Sequence, residues 1–189
     1  MKKLFRILGY MVYIPAAILF LFELYRTAMV IIPQYQQYKW FVIGMAGYYI
    51  LGVFFKKNRK FLQTFSHELT HTIVAMLFLR KMHSFTAERG EGVMTYTTGR
   101  FRLGSTMISL SPYFLPIFTI FFMLIRHVVV GDAVYIFDAL IGFTFAFHLG
   151  CFAAQTGSYQ TDIQQNGLFY SYLIITTFLA LNISIVLLS

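Results

Sequence analysis

The chain has 189 residues, of which 58% are hydrophobic and only 12% charged, and its mean hydropathy is +0.68. Soluble domains carry about 25% charged residues, so this composition indicates an integral membrane protein. The net charge of +8 could suit nucleic acid, but the basic residues stand where apolar runs end. That placement is typical of topology signals and of contact with anionic headgroups. We therefore expect a multi-pass protein whose surroundings are a lipid bilayer, with no nucleic-acid partner.

No linker or low-complexity tract interrupts the apolar segments, which predicts a single domain over residues 1–189. The single cysteine, Cys151, cannot form an internal disulfide and is expected to pack in apolar surroundings.

The basic start and the apolar run after it imitate a signal peptide. The apolar stretch resumes after Arg26 without a small-residue cleavage site, so we expect an uncleaved first span.

Six apolar stretches predict about six transmembrane helices, at residues 9–32, 40–55, 61–79, 103–125, 133–154 and 168–188. The segment 82–102 differs, because β-favouring residues flank a glycine-containing turn and predict a hairpin. Its open edge could hold an extended peptide, although an ordinary connecting loop is an equal alternative. The predicted fold class is an all-α membrane protein with a small β-hairpin-like element after the third helix.

The third stretch carries an HExxH motif formed by His67, Glu68 and His71. Histidines four residues apart share one face of a helix and can reach a single metal ion, and the glutamate can act as a general base. The alternative is a packed histidine pair beside a hydrogen-bonded glutamate. That arrangement leaves ionisable groups uncompensated in an apolar segment, which is costly, so the motif predicts a zinc site.

A catalytic zinc usually takes three protein ligands, and the acidic residues available are few. Asp162 is the leading prediction, because it lies in a strongly polar break at 155–167 between the last two spans. His148 and Asp138 of the fifth span remain alternatives. A helix N-cap for the last span is the other role that suits Asp162. Of the remaining acidic residues after the motif, Glu88 and Glu91 belong to the predicted hairpin and are expected to face solvent, and Asp132 is expected in a loop.

These features together resemble the site-2 protease family of intramembrane zinc metalloproteases. A membrane HExxH, a β-like segment, a span rich in proline and small residues, and a late aspartate follow one another over about residues 61–167. The matching residues are His67, Glu68, His71 and Asp162. The family's aspartate is typically followed by glycine, whereas Ile163 follows Asp162 here. The chain would therefore be a small, divergent member.

The resemblance implies one zinc ion and hydrolysis of a peptide bond in a transmembrane or membrane-anchored protein substrate. Glu68 would take a proton from a water that the zinc activates and deliver it to the leaving amine. A second donor for the oxyanion, or a substrate contact, is expected among residues near Asp162: His148, Gln155, Tyr159 and Gln160.

Two other functions stay open. One is a membrane zinc hydrolase acting on a lipid or small substrate, and the other is a non-catalytic metal-binding subunit of a membrane assembly. The expected location is the cytoplasmic membrane of a bacterium, and the sequence does not define an oligomeric state.

The six spans carry a topological conflict. Simple alternation from a cytoplasmic N-terminus puts the basic run 56–60 and the polar break 155–167 on opposite sides of the membrane. The motif lies close to the basic run, yet Asp162 has to meet it. Either the polar break reaches deep into the bundle, or one span is miscounted.

Overall fold

A computed structural model describes residues 2–54, 56–88, 92–97 and 102–189. The chain is predominantly helical, with one two-stranded antiparallel sheet, which confirms the helical class and the hairpin. The turn of the predicted hairpin, at 89–91, lies outside the described residues. In chain order the elements are α1 (Lys2–Ile31), a 3₁₀ helix (Ile32–Tyr38), α2 (Lys39–Phe54), α3 (Lys56–Leu77), β1 (Met82–Ala87), β2 (Gly92–Tyr96), α4 (Arg102–Leu110), a second 3₁₀ helix (Ser111–Tyr113), α5 (Ile117–Arg126), α6 (Ala133–Gln155), α7 (Thr161–Asn166) and α8 (Leu168–Leu188).

Among the described residues, three helical stretches are long and apolar enough to cross a membrane: Arg6–Phe54, Ala133–Gln155 and Leu168–Leu188. A fourth is added if Gly104–Tyr113 and Ile117–Arg126, which meet at 83°, count as one broken span. The predicted six spans are thus confirmed only in part. The prediction at 61–79 does not pass this test, because polar and charged residues cover the first half of α3.

The first apolar stretch folds back on itself at the 3₁₀ helix Ile32–Tyr38. Tyr13 of α1 accepts a hydrogen bond on its carbonyl from Thr177 of α8, and Val186 of α8 packs in a cluster with Phe41 of α2. Thr177 and Val186 are nine residues apart in α8, which is a distance of only about 14 Å along the helix. Residues 13 and 41 would be about 42 Å apart if they belonged to one straight helix, so α1 and α2 cannot form one. The reversal occurs where Pro33 removes a backbone donor and Gln34 leaves helical geometry.

Two pairs of parallel helices frame the fold. Gly44 of α2 lies against the carbonyl of Ala139 in α6, and Gly142 of α6 lies against the carbonyl of Phe41, so the two backbones approach closely. Further along, Tyr48 packs on Phe147, which shows that α2 and α6 run in the same direction. The α1–α8 pair is also parallel, with Gly9 beside Tyr170 and Tyr13 beside Phe178.

The parallel pairing resolves the topological conflict. Because α2 and α6 run the same way, the polar break that follows α6 lies at the same end of the molecule as the basic run that follows α2. The expected alternation was therefore wrong, because it assumed six straight spans. The break at Pro112 and Pro116 turns the predicted fourth span into two short helices that meet at 83°.

The remaining elements surround the middle of α3. The hairpin packs on it through the edge-to-face pair Phe65–Phe85, and α4 packs on it through a buried cluster of Val74, Ala75 and Ile108. A second cluster places Tyr113 beside Ile163 of α7. These contacts bring α7 against the HExxH face of α3.

Candidate metal centre

The two motif histidines lie on one face of α3, with ring centroids 4.8 Å apart. His71 is buried, and its Nδ1–H donates to the carbonyl of Ile108 at 2.7 Å, which leaves Nε2 free as a ligand atom. The Nδ1 of His67 is buried and has no hydrogen-bond partner among the described residues. Its ring is oriented instead by edge-to-face packing on Tyr113, at 5.3 Å between centroids.

Asp162 completes the group. Its Oδ2 lies 3.4 Å from Nε2 of His67 and 3.4 Å from Nε2 of His71. Ligand atoms of the three residues all lie within 4.8 Å of one another, so together they could hold a metal ion. The alternative role as N-cap of the last span is wrong, because Gly167 occupies that position and Asp162 lies in the first turn of α7.

A network of polar side chains holds Asp162 in place. The Tyr113 hydroxyl donates to its Oδ2 at 3.5 Å. The Asn166 amide donates to the Asp162 carbonyl and to Ser109 Oγ, at 2.9 and 2.8 Å, and its own oxygen accepts from Thr106. The network therefore ties α7 to α4 directly beside the two histidines.

The charge state of Asp162 suits a ligand. Burial raises the pKa of its carboxyl, but the imidazoles of His67 and His71 outweigh burial and hold that pKa well below its usual range. The side chain is therefore an ionised carboxylate at neutral pH, as metal coordination requires.

Glu68 lies beside the histidines and is buried, with 7% of its surface exposed. It lines a cavity of about 370 Å³ together with His67, Gly92, Gln155 and Gln160. Glu68 fits beside strand β2 because Gly92 has no side chain, since a Cβ there would lie 2.7 Å from Glu68 Oε1. The structure thus brings two of the four predicted donor residues, Gln155 and Gln160, into the cavity of the predicted base.

A second cavity of about 340 Å³ opens on the other side of the group, lined by His71, Asp162, Gln165 and Tyr96. Strand β2 borders both cavities, with Gly92 and Val93 at one and Met94 to Tyr96 at the other. Among the described residues β2 pairs only with β1, so its other edge carries unpaired main-chain groups.

The other predicted site residues lie elsewhere. His148 is buried in α6 but does not belong to the group of ligand atoms within 4.8 Å. Tyr159 is 68% exposed and donates to the carbonyl of Ala154. Asp138 pairs with Arg126. Glu88 is exposed, as expected, and Asp132 lies in the loop before α6, where it is also exposed. Glu91 lies outside the described residues.

Several residues of the site were not predicted from the sequence. The carbonyl of Ile108 belongs to α4 and Tyr113 to the 3₁₀ helix that follows it, and nothing in their local sequence marks them. Asn166 stands in the polar break, so its position was the one available signal. Ile163, which follows the aspartate where the resembling family has glycine, is fully buried in the core, and Gly167 supplies the positive φ of +93° needed to start α8.

No family model, curated protein or solved structure matches this chain. The class of site therefore follows from the geometry of its own residues. Two histidines and an aspartate form a group that could hold a metal ion, in a chain whose long helices can cross a membrane.

Proposed function

We propose that this protein is an intramembrane zinc metalloprotease, which hydrolyses a peptide bond of a membrane-anchored protein. The observation that carries the proposal is the meeting of His67, His71 and Asp162 next to the buried Glu68. The order of these residues and their setting agree with the resemblance to the site-2 protease family.

The distances from Asp162 to the two histidines suit zinc. Two ligand atoms bound to one tetrahedral zinc at about 2.0–2.1 Å lie about 3.3 Å apart. Asp162 Oδ2 lies 3.4 Å from each Nε2, which matches that spacing. One carboxylate and two imidazoles also form a common ligand set of catalytic zinc.

Bound zinc would polarise the scissile carbonyl and acidify a water molecule, as it does in soluble metalloproteases. Glu68 takes the proton from the attacking water and passes it to the leaving amine, so that its carboxylate is regenerated. Its carboxylate faces the cavity that contains His67, which is the placement this role needs. The hydrogen bond from Thr72 to the Glu68 carbonyl, at 2.9 Å, supports the helix at this point.

Side-chain amides supply donors for the developing negative charge. Gln155 and Gln160 line the cavity of Glu68, and Gln165 lies on the opposite side, where it donates to Asp162 Oδ1. We assign the first two to the oxyanion or to substrate contacts. Both come from the polar break at 155–167.

The open edge of β2 favours a peptide over a lipid as the substrate. It runs past both cavities, so an extended peptide paired with it crosses the metal group. Main-chain hydrogen bonds of this kind can hold extended peptides of many different sequences. A lipid has no peptide backbone and cannot form them. A peptide bond would then lie between Glu68 and the zinc ligands.

The test combines metal analysis with a survey of new protein N-termini. Membranes are prepared from cells that express the wild type, Glu68→Gln or the matched control Glu88→Gln, which changes an exposed glutamate. We expect all three purified proteins to carry zinc, and new N-termini in or beside membrane segments only with the wild type and the control.

Equal cleavage by Glu68→Gln would contradict the role of Glu68. Zinc binding without any new N-termini would contradict proteolysis. If membrane lipids were then altered in a Glu68-dependent way, the protein would be a lipid hydrolase. If neither proteins nor lipids changed, a non-catalytic metal-binding subunit would be favoured.

A further inference from the structure

A groove between α2, the start of α3 and α6 lies outside the metal centre. It comprises two cavities, of about 360 and 170 Å³, that share Tyr48, Gly52 and Arg59. Gly52 borders the open space of this groove, since nothing lies within 4 Å of the position that its Cβ would take. The shared residues make the two cavities one continuous surface.

The two halves of the groove differ in chemistry. The larger half brings Arg59 together with the hydroxyl-bearing Tyr49 and the amide of Gln63. The smaller half is lined mainly by apolar side chains, among them Leu62, Phe143 and Phe147. A ligand that fills both halves therefore needs an anionic or polar head and an apolar tail.

Arg59 is the charged group of this groove. It is exposed, and no carboxylate or other hydrogen-bond partner contacts it within the described ranges. It belongs to a run with Lys56, Lys57 and Lys60, at the end of the apolar stretch Arg6–Phe54. A guanidinium at that boundary lies at the depth of lipid phosphates, where it forms paired hydrogen bonds with them.

We propose that this groove binds one anionic phospholipid. The phosphate contacts Arg59, the headgroup reaches Gln63, and one acyl chain lies along Leu62, Phe143 and Phe147. Charge complementarity selects an anionic lipid, and the apolar half distinguishes a lipid from a free phosphate ion. The proposal does not depend on proteolysis, because none of these residues belongs to the metal group.

The bound lipid would lie next to the catalytic cavity. Gln63 lies one helical turn before His67, and its neighbour Thr64 lines the cavity of Glu68. On the opposite wall, Ala154 lines the groove and Gln155 lines the cavity. The lipid headgroup thus forms one wall of the approach to the metal centre from the membrane side.

The experiment measures binding of phosphatidylglycerol and phosphatidylcholine to the purified full-length protein by native mass spectrometry. Arg59→Gln removes the phosphate contact, and the control Lys60→Gln removes one exposed charge from the same run. Gly52→Leu fills the groove and keeps every charge. We expect tighter binding of phosphatidylglycerol, and a loss of about five-fold or more in its affinity for Arg59→Gln but less than about two-fold for Lys60→Gln.

Gly52→Leu is expected to weaken lipid binding as strongly as Arg59→Gln does, and its monodispersity on size exclusion confirms that it folds. Equal losses in Arg59→Gln and Lys60→Gln, or full binding by Gly52→Leu, would show diffuse surface attraction and overturn the site. Complete competition by inorganic phosphate would leave an anion site without a lipid. Equal affinity for the two lipids would remove the selectivity for anionic headgroups.

Discussion

Nε2 of His67 lies 3.4 Å from Oδ2 of Asp162, a residue 95 positions further along the chain. This contact joins the middle of α3 to the short helix α7, which stands between two helices that are long and apolar enough to cross a membrane, α6 and α8. A metal held by both residues would connect the two halves of the protein. A ligand that binds only the native state stabilises that state. The metal is therefore expected to raise the free energy of unfolding as well as to support catalysis.

Replacement of Asp162 by alanine should abolish stable zinc binding. The change removes one of three ligands, and we expect affinity to fall by more than about 100-fold, since loss of supporting residues alone costs 10–100-fold. Metal content of the purified protein, measured by mass spectrometry, checks this. The control is Asp132→Ala, an exposed aspartate in a loop. Full zinc occupancy in Asp162→Ala would remove Asp162 from the ligand set.

Removal of the metal should lower thermal stability. At a free zinc concentration about 100 times the dissociation constant, bound metal adds about 2.7 kcal/mol to the free energy of unfolding. We expect a chelator to lower the melting temperature of the wild type and to leave that of Asp162→Ala almost unchanged. A shift of equal size in both proteins would place the bound metal elsewhere.

Asn166→Ala tests the network that positions Asp162. The substitution removes the hydrogen bonds that the Asn166 side chain makes with Thr106, Ser109 and the Asp162 carbonyl. We expect a loss of about 1–3 kcal/mol in stability and a roughly ten-fold weaker affinity for zinc. Asn58→Ala, at an exposed position of α3, is the matched control. An unchanged zinc affinity would show that the ligand orients itself without this network.

Gly92→Ala should damage catalysis while metal binding survives. The added Cβ would lie 2.6 Å from Glu68 Cγ and 2.8 Å from Thr64 Cγ2, so the base has to move. We expect cleavage to fall by about 100-fold, the size typical of a misplaced catalytic group, with zinc content unchanged. Gly47→Ala is the control, because its Cβ would make only an ordinary contact of 3.9 Å with Phe143. Wild-type cleavage by Gly92→Ala would contradict the tight fit of β2 against Glu68.

Single cysteines can test the direction of the helices. In a Cys151→Ala background, Asn58→Cys and Tyr159→Cys should react with a membrane-impermeant maleimide from the same side. Both positions are exposed, and both follow helices that run in the same direction. Asp132→Cys, at the start of α6, should react from the opposite side. Labelling of Asn58→Cys and Tyr159→Cys from opposite sides would restore the simple alternation of six spans.

Sequence patterns predicted the features that depend on local chemistry. The spacing of His67 and His71 places both on one helical face in any α-helix, so half of the candidate site could be predicted from periodicity alone. Asp162 could be selected because an aspartate between apolar spans is costly without a partner. The hairpin was predicted from its residue types, and its residues pair as a two-stranded sheet.

The residues that complete the site depend on contacts between distant parts of the chain. Nothing local marks Tyr113 as a partner of Asp162 or Gly92 as the space for Glu68, because each role arises only when α7 or β2 packs on α3. Gln155 and Tyr159 also look alike in the sequence as donors, yet one lines the cavity and the other faces outward.

The sequence by itself predicted helices apolar enough to cross a membrane, and it placed His67, Glu68 and His71 of the HExxH motif together on one helix. Composition and helical periodicity are properties of each segment, and they hold whatever the rest of the chain does. Only the tertiary structure decided that the polar break lies at the same end as the basic run, and that Asp162 faces the histidines instead of capping α8. Both depend on the parallel packing of α2 with α6, two helices far apart in the chain whose backbones approach closely at Gly44 and Gly142.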